Sequence, residues 1–327
     1  MTAKGFRPAL LGAPACLFNT GFSPTLIKLM GWQSMTLEQL RIFIAVAEKQ
    51  HMTRAATELN LTQSATSAAI AALESRYGIK LFDRVGRGIQ LTQIGRDFLG
   101  EARGVVGRAK AAAQVLSDLA GLERGSLTIA ASQTVANYWL PPRVQEFQAA
   151  YPDIDLHIMI ANTERVAQAV HEGSADVGLV EGEVDDPSLA IRKIDGDTLV
   201  VVVGKHHRWA THARITADDF RTTGWVLREP GSGTRSIFEA ALRKYGIRLS
   251  ELRITLELPS NEAIRAAVEA GQSATAISNL VVAHSVAAKT LHHVKIDLPK
   301  RAFFALRHKE RYASQVEKAF FGKLGVR

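Results

Sequence analysis

A single cysteine, Cys16, stands in a chain of 327 residues, so an internal disulfide is excluded, and one unpaired thiol is what a reducing, cytoplasmic setting permits. No run of about eighteen apolar residues occurs, and no membrane-spanning helix is expected. Histidines are badly placed for a metal: His206-His207 and His292-His293 are adjacent pairs, which diverge on a strand, and neither pair has a cysteine or an i,i+4 histidine partner. Exposed loop histidines are the expected state. The stretch Gly-Ser-Gly-Thr at 231–234 lacks the closing Lys-Ser/Thr of a Walker loop. No catalytic residue, metal or cofactor is predicted.

What is present is basic charge and apolar material for more than one core. Lysine and arginine outnumber the acids 40 to 32, a formal charge of +8, and the pI is near 9.7. That balance favours nucleic acid or another anionic partner without singling one out. The length exceeds one small domain, and 46% hydrophobic residues suffice for several cores. Residues 1–34 weakly imitate a secretory signal, with Lys4 and Arg7 near the stretch Pro8 to Phe18. Pro8, Gly12 and Pro14 interrupt that run, and no clean cleavage site follows. The segment is expected to be a disordered tail, or to precede a natural start at Met35, and to stand outside the fold.

The densest information lies between Met52 and Thr92, where two short helices and a basic hairpin follow one another. Thr53 can cap a helix through Ala55, Ala56 and Leu59, Asn60-Leu61 breaks it, and Thr62 can cap a second. In the second helix Ala65, Ala69 and Leu73, with Ile70, form the inward stripe. Gln63, Ser64, Thr66 and Ser67 are left outward in the first two turns, where a recognition helix meets base edges in the major groove. Gly78 stops the helix, and Lys80 to Arg84 and Ile89 to Thr92 read as two strands about Gly86-Arg87-Gly88. Arg84 and Arg87 would sit on that wing. Asp83 is the only acid against Arg76, Lys80, Arg84, Arg87 and Arg96, as phosphate contact requires.

From Met35 to about Leu119 the sequence resembles the N-terminal domain of LysR-type transcriptional regulators. The resemblance is carried by Leu40-Arg41-Ile42-Phe43, Thr53-Arg54-Ala55-Ala56, Leu61-Thr62-Gln63-Ser64-Ala65, Leu73-Glu74, Gly78, Leu81-Phe82-Asp83-Arg84, and Leu91-Thr92 with Gly95. It implies a winged helix-turn-helix whose DNA-contacting residues are Thr62, Gln63, Ser64, Thr66, Ser67, Arg84 and Arg87. The chain departs from the family at Ser64, often proline there, and at Ala68 and Ala69, often basic or amide. Fewer long side chains reach the groove, so base preference does not carry over, and more of the affinity rests on the wing and DNA shape.

After Thr92 the pattern becomes one long helix. Phe98, Val105, Ala112 and Leu119 recur at sevens, interleaved with Ala102, Ala109 and Leu116, an a/d seam that a single helix cannot bury. In the family this is the linker helix that dimerises the DNA-binding heads.

Beyond Gly125 strands and helices alternate. Leu127 to Ala131, Ile154 to Ile160 and Val177 to Val180 read as strands, with helices over Pro141 to Ala150 and Glu164 to His171. A second unit has strands at Leu199 to Val203, Trp225 to Leu227, Ile254 to Leu258 and Ala274 to Ser278, and helices at Arg235 to Tyr245 and Glu262 to Ala270. This α/β order implies mostly parallel sheets with helices on both faces. It resembles the family's effector domain, two-lobed like a type II periplasmic binding protein. The expected organisation is a head at 35–92, a linker at 93–121 and an effector domain at 125–327, with lobe one at 125–195 and 296–327 and lobe two at 196–295.

Ligands in open α/β sheets bind at strand carboxyl ends and helix N-termini. Two segments fit: Ser132-Gln133-Thr134, and Glu229 to Arg235. In the second, Gly231 and Gly233 let N–H groups converge, Ser232 and Thr234 add hydroxyls, and Arg235 adds a fork for a carboxylate or other oxyanion. Asn137 and Asn279 are weaker candidates. The resulting expectation is a cytoplasmic regulator, a homodimer or homotetramer without membrane contact, that binds double-stranded promoter DNA as an interrupted palindrome. A small anionic effector would move the lobes, altering head spacing, DNA bending and RNA polymerase recruitment. The alternatives are a small-anion receptor, which needs an export signal and no DNA head, and an anion-processing enzyme, which needs a base beside Ser232.

Overall fold

A computed structural model describes residues 35–86, 88–119, 125–211 and 215–325. The N-terminal extension, Arg87 of the wing and the side chain of Leu119 in the seam lie outside the described residues.

The head begins with α1 (Leu37–Lys49), α2 (Met52–Glu58) and α3 (Gln63–Tyr77). Its short-range chemistry sets the boundaries. The cap of α2 is His51, whose ring accepts from the Arg54 N–H, rather than Thr53. Asn60 turns the chain with φ 55°, Thr62 caps α3 by accepting from the Ala65 N–H, and Gly78 closes it in the left-handed conformation. The buried face of α3 is Thr66, Ile70, Leu73 and Glu74: Ile70 and Leu73 point inward as expected, whereas Ala65 is exposed, Ala69 is half-buried and Thr66 takes an inward place. Thr66 tolerates burial because its hydroxyl donates to the Thr62 carbonyl at 3.1 Å. Its expected outward role in DNA contact is therefore corrected.

The hairpin β1 (Phe82–Val85) and β2 (Gly88–Leu91) pairs Phe82 with Leu91 and Val85 with Gly88. Glu74 straps it to α3, accepting from the N–H groups of Leu81 (2.8 Å) and Phe82 (3.2 Å) and from Lys80 Nζ (2.7 Å). The linker α4 (Gln93–Leu119) packs Phe98 against fully buried Phe43, ring centroids 5.0 Å apart. An aromatic anchor of that kind stabilises the junction of head and linker by about 2 kcal/mol.

The remainder forms a nine-stranded array. Lobe one uses β3 (Gly125–Ser132), α5 (Leu140–Ala150), β4 (Ile154–Ala161), α6 (Thr163–Glu172), β5 (Val177–Glu181), β11 (Lys300–His308) and α11 (Gln315–Lys323). Lobe two uses α7 (Ala217–Thr222), β7 (Gly224–Arg228), α8 (Gly233–Lys244), β8 (Arg253–Leu258), α9 (Asn261–Ala270), β9 (Ser273–Ser278), α10 (Asn279–Ala287) and β10 (Leu291–Val294). Strand β6 (Leu189–Gly204) runs through both, and the strands lie in the order β4-β3-β5-β11-β6-β9-β7-β8, with β10 also on β6. The triplets β4-β3-β5 and β8-β7-β9 are parallel as expected. Strands β6 and β11 are antiparallel to their neighbours, so the sheets are mixed. Each lobe buries apolar side chains on both faces: Phe147, Phe303 and Phe320 against Val166, Val170 and Leu306 in one, and Phe220, Trp225 and Phe238 against Val226, Ile264 and Val268 in the other.

His207 is not the exposed loop histidine expected. It is buried, accepts from the Trp209 N–H at 3.0 Å and meets Thr223 Oγ1 at 2.7 Å.

The Glu74 strap gives a prediction. Burial pushes its carboxyl up, but Lys80 and the two N–H groups outweigh burial and hold it below the ordinary glutamate range. A depressed folded value means this stabilisation is complete above about pH 4.5 and is lost as pH falls through the folded value. Glu74→Ala should cost about 2 kcal/mol at neutral pH by orphaning the hairpin donors, and should flatten the acid limb of the thermal-unfolding profile. A variant whose midpoint follows that of the wild type throughout the range from about pH 3 to about pH 7 contradicts the strap.

Candidate functional site

Two surfaces carry chemistry. On the head, Gln63 and Ser64 are exposed at the amino end of α3, beside exposed Thr62 and Ala65. Their side chains pair with neighbours: Gln63 Nε2 donates to Ser67 Oγ at 3.2 Å, and the Thr62 and Ser64 hydroxyls lie 3.0 Å apart. Local side-chain hydrogen bonds of ordinary length on such a face exchange readily for bonds to a partner. Arg84 is exposed on β1 beside Val85, so a cation and an apolar side chain share the hairpin.

The second surface is the cleft between lobes, where carboxyl ends of strands from both converge. Ser132 ends β3, Glu181 ends β5, Arg228 ends β7 and Ser278 ends β9, while α6, α8, α9 and α10 start beside them. The segments expected at this place do meet here, around a group the sequence reading passed over. Glu181, 1% exposed, accepts from the Ser132 hydroxyl in a short contact, from Thr134 Oγ1 at 3.4 Å and from Thr234 Oγ1 at 3.3 Å. Arg301 on β11 donates to Thr234 Oγ1 at 2.8 Å and Thr134 Oγ1 at 3.4 Å. Its other face is paired with Asp197 of β6, through Nε and through Nη2 at 2.7 Å. Asp197 also accepts from the Ser278 hydroxyl.

Around this centre the lobes are stitched. Asn261, fully buried, donates to Thr134 Oγ1 at 3.2 Å and accepts from Arg228 Nη1 at 2.8 Å. Gln133 accepts from the Asn261 N–H at 2.9 Å and donates to the Pro259 carbonyl. The Gly233 N–H donates to Thr163 Oγ1 at 3.2 Å. A Cβ on Gly233 would lie 2.0 Å from the Glu181 carbonyl oxygen, so α8 of lobe two can press on β5 of lobe one only with glycine there. Ser232, also buried, has a hydroxyl without a hydrogen-bond partner. Farther out, Asn137 and Tyr138 donate to Glu262 at 3.2 and 3.1 Å. Burial, then the Glu262 charge, push the Tyr138 hydroxyl up to about 12. Asn279 accepts from the Thr198 N–H at 3.1 Å.

One expected member does not belong. Arg235 donates to Glu239 Oε1 at 2.9 Å, to the Arg228 carbonyl at 2.9 Å and to Glu257. Burial pulls its value down, but these two carboxylates raise it overall. With i,i+4 and cross-strand acids beside it, its fork is spent on α8 and β8, and it is not part of an anion cradle.

A third feature joins the two surfaces. Arg103 of the linker donates to Glu48 of α1 at 2.9 Å and to Glu172 of α6 at 3.3 Å. One turn on, a Cβ on Gly107 would lie 2.8 Å from the Gly173 carbonyl oxygen, so linker and lobe one are in backbone contact.

The comparisons agree with this anatomy. Residues 37–96 match the model of the bacterial regulatory helix-turn-helix protein, lysR family, and residues 120–325 match the LysR substrate binding domain. The chain belongs to the LysR family of transcriptional regulators. A relative from Escherichia coli K12, the uncharacterized HTH-type transcriptional regulator YeiE, is 31% identical over 288 residues, covering 88% of this chain and 96% of the relative. A probable RuBisCO transcriptional regulator of Phaeodactylum tricornutum is 31% identical over 294 residues, with coverage of 88% and 96%. Among solved structures, full-length CbnR complexed with its target DNA matches with a TM-score of 0.61 at 22% identity, covering 89% of this chain and 99% of that one. The Synechocystis CcmR regulatory domain in complex with 2-PG matches with a TM-score of 0.56 at 25% identity, covering 62% and 96%. The relatives are named as regulators rather than enzymes, and this chain is a LysR-type transcriptional regulator with an effector-binding domain. Among the described residues no helix is long and apolar enough to cross a membrane.

The Arg301-Asp197 pair, 1% exposed on each side chain, gives a prediction. Arg301→Met leaves Asp197 buried beside a thioether and should cost about 3–5 kcal/mol in denaturant unfolding, with Asp197→Asn in the same chain recovering part of the loss. Full stability in Arg301→Met alone contradicts the pairing.

Proposed function

We propose that this regulator reads duplex promoter DNA with the amino end of α3 in the major groove and Arg84, joined by Arg87, on the flanking phosphates. The observation that carries the reading is the row of hydroxyl and amide tips at exposed Thr62, Gln63 and Ser64, with half-buried Ser67 behind them, beside a basic hairpin. Gln63 can pair bidentately with adenine, while Arg84 supplies charge that is blind to sequence.

The organisation proposed is a head over 35–92, a linker over 93–121 and an effector domain over 125–327, acting on promoter DNA in the cytoplasm. Two copies pair along the linker, whose Val105 and Leu116 are exposed at 46% and 70%, and dimers pair again into a tetramer. Apolar side chains on both outer strands, Ile158 to Ile160 on β4 and Ile254 and Leu256 on β8, offer further contact surface. Paired heads call for an interrupted palindrome.

The effector is a small molecule taken between the lobes, and with Arg235 turned away, its anionic class rests on Arg301 and the hydroxyls of Ser132, Thr134 and Thr234. Since Arg103 holds the head to lobe one, a shift of the lobes reaches the DNA and, through it, RNA polymerase.

Binding to duplex DNA by fluorescence anisotropy, across salt, tests the head. Arg84→Ala should weaken all sequences alike and lower the salt slope by about one, whereas Gln63→Ala should remove roughly 1–3 kcal/mol of discrimination at one base pair. Equal losses on nonspecific DNA from both variants contradict the division of roles.

A further inference from the structure

The cleft's donors converge on a carboxylate that the chain itself supplies. Ser132, Thr134 and Thr234 all offer hydroxyls to Glu181, from both lobes, and each is buried. Arg301 stands behind them with Nη1 3.9 Å from Glu181 Oε1, while Asp197 takes its short contacts. Around Glu181 are therefore three hydroxyls, one guanidinium already balanced by an acid, and the first turn of α8 at Gly233, whose Cα is 3.4 Å from the Cβ position of Gly182. This is the donor set that a small carboxylate or oxyanion would seek.

We propose that Glu181 is a tethered anion that fills the anion position of the cleft and sets its ligand specificity: an external carboxylate or oxyanion binds there only by displacing the Glu181 side chain. The inference deepens the reading of the cleft as the effector site and rests on it. Two consequences follow from charge. Glu181 and Asp197 against Arg301 give the buried trio a formal charge of −1, so a second anion entering beside Glu181 meets repulsion in a poorly screened place. Removal of Glu181 leaves the Arg301-Asp197 pair neutral and three hydroxyls without an acceptor, a pocket that a free monocarboxylate can complete.

Chemical rescue tests this without knowledge of the natural effector. Glu181→Ala removes the carboxylate and its stem, and Glu181→Gln keeps the volume but not the charge. Full-length wild type, E181A and E181Q are melted in chloride, formate and acetate at equal ionic strength. Formate should raise the midpoint of E181A by roughly 3 °C or more at saturation, with a concentration dependence that fits one site. Neither wild type nor E181Q should gain more than the common salt effect, because in both the position is filled.

Should E181A not remain soluble in chloride, its recovery on refolding in formate reads the same quantity. Recovery that is equally poor in formate counts against the proposal. Equal shifts in all three proteins, or none in E181A, overturn it. The cleft's role as effector site is judged separately, by whether any of a panel of small carboxylates and sulfate changes the wild-type protein's affinity for duplex DNA and Thr134→Val or Asn261→Ala removes that change. A failed rescue therefore removes the tethered anion and leaves the effector reading standing or falling on its own.

Discussion

The linker helix has to satisfy three neighbours with one cylinder. At 27 residues it spans about 40 Å, and its first turns are claimed by the head, where Phe98 meets Phe43 and Ala102 is buried. A second side lies on lobe one, beside Glu172 at Gly100 and Gly104 and against the Gly173 backbone at Gly107, where a Cβ would lie 2.8 Å from a carbonyl oxygen. A third side keeps Val105, Ala112 and Leu116 exposed in the single chain. Apolar surface of that regularity is stabilised by a like helix, and the proposed pairing of two heads grows from it. Everything else hangs from this rod: the wing by Arg96, which donates to the Leu91 carbonyl at 2.7 Å, the head by Phe43, and the effector domain by Arg103 and the contact at Gly107.

The cleft follows a different logic. Its centre is buried and polar, and it holds because each group is answered by another: Asp197 by Arg301, Glu181 by three hydroxyls, Asn261 by Arg228 and Thr134. Such networks stabilise little relative to an apolar core, but they specify one arrangement of the two lobes sharply, since any displacement leaves a buried charge unpaired. A part of the protein meant to respond to a small molecule gains from that sharpness, because a few displaced hydrogen bonds then shift the relative stability of whole lobes.

Local chemistry was legible in the chain, and distant pairing was not. Thr62, Gly78 and the hairpin about Gly86 announce themselves within a few residues, as does the seam of the linker. In α3 the large residues Ile70 and Leu73 mark the inward face, but Ala65, Ala68, Ala69, Ala71 and Ala72 give little contrast between faces, which hides the burial of Thr66. The outer half of β6 carries Arg192, Lys193, Asp195 and Asp197 and has no apolar run to mark it. Ser132, Thr134 and Thr234 were placed at the cleft by their position after strands. Arg235 has one partner in reach of the eye, Glu239 a turn along α8, but the other, Glu257, lies 22 residues away on β8. Glu181 carried a signal that could have been used, an acid at the carboxyl end of an apolar strand, whereas Arg301 meets Asp197 across 104 residues with nothing local to betray it.

Selection of bound duplexes from a random pool by the full-length protein tests the central claim, that one helix pairs two DNA-reading heads. The account predicts recovered sequences with two symmetric half-sites, separated so that both major grooves face the same side, and protection of both halves together. Recovery of single, unsymmetric sites, or of no enriched sequence at low salt, contradicts it.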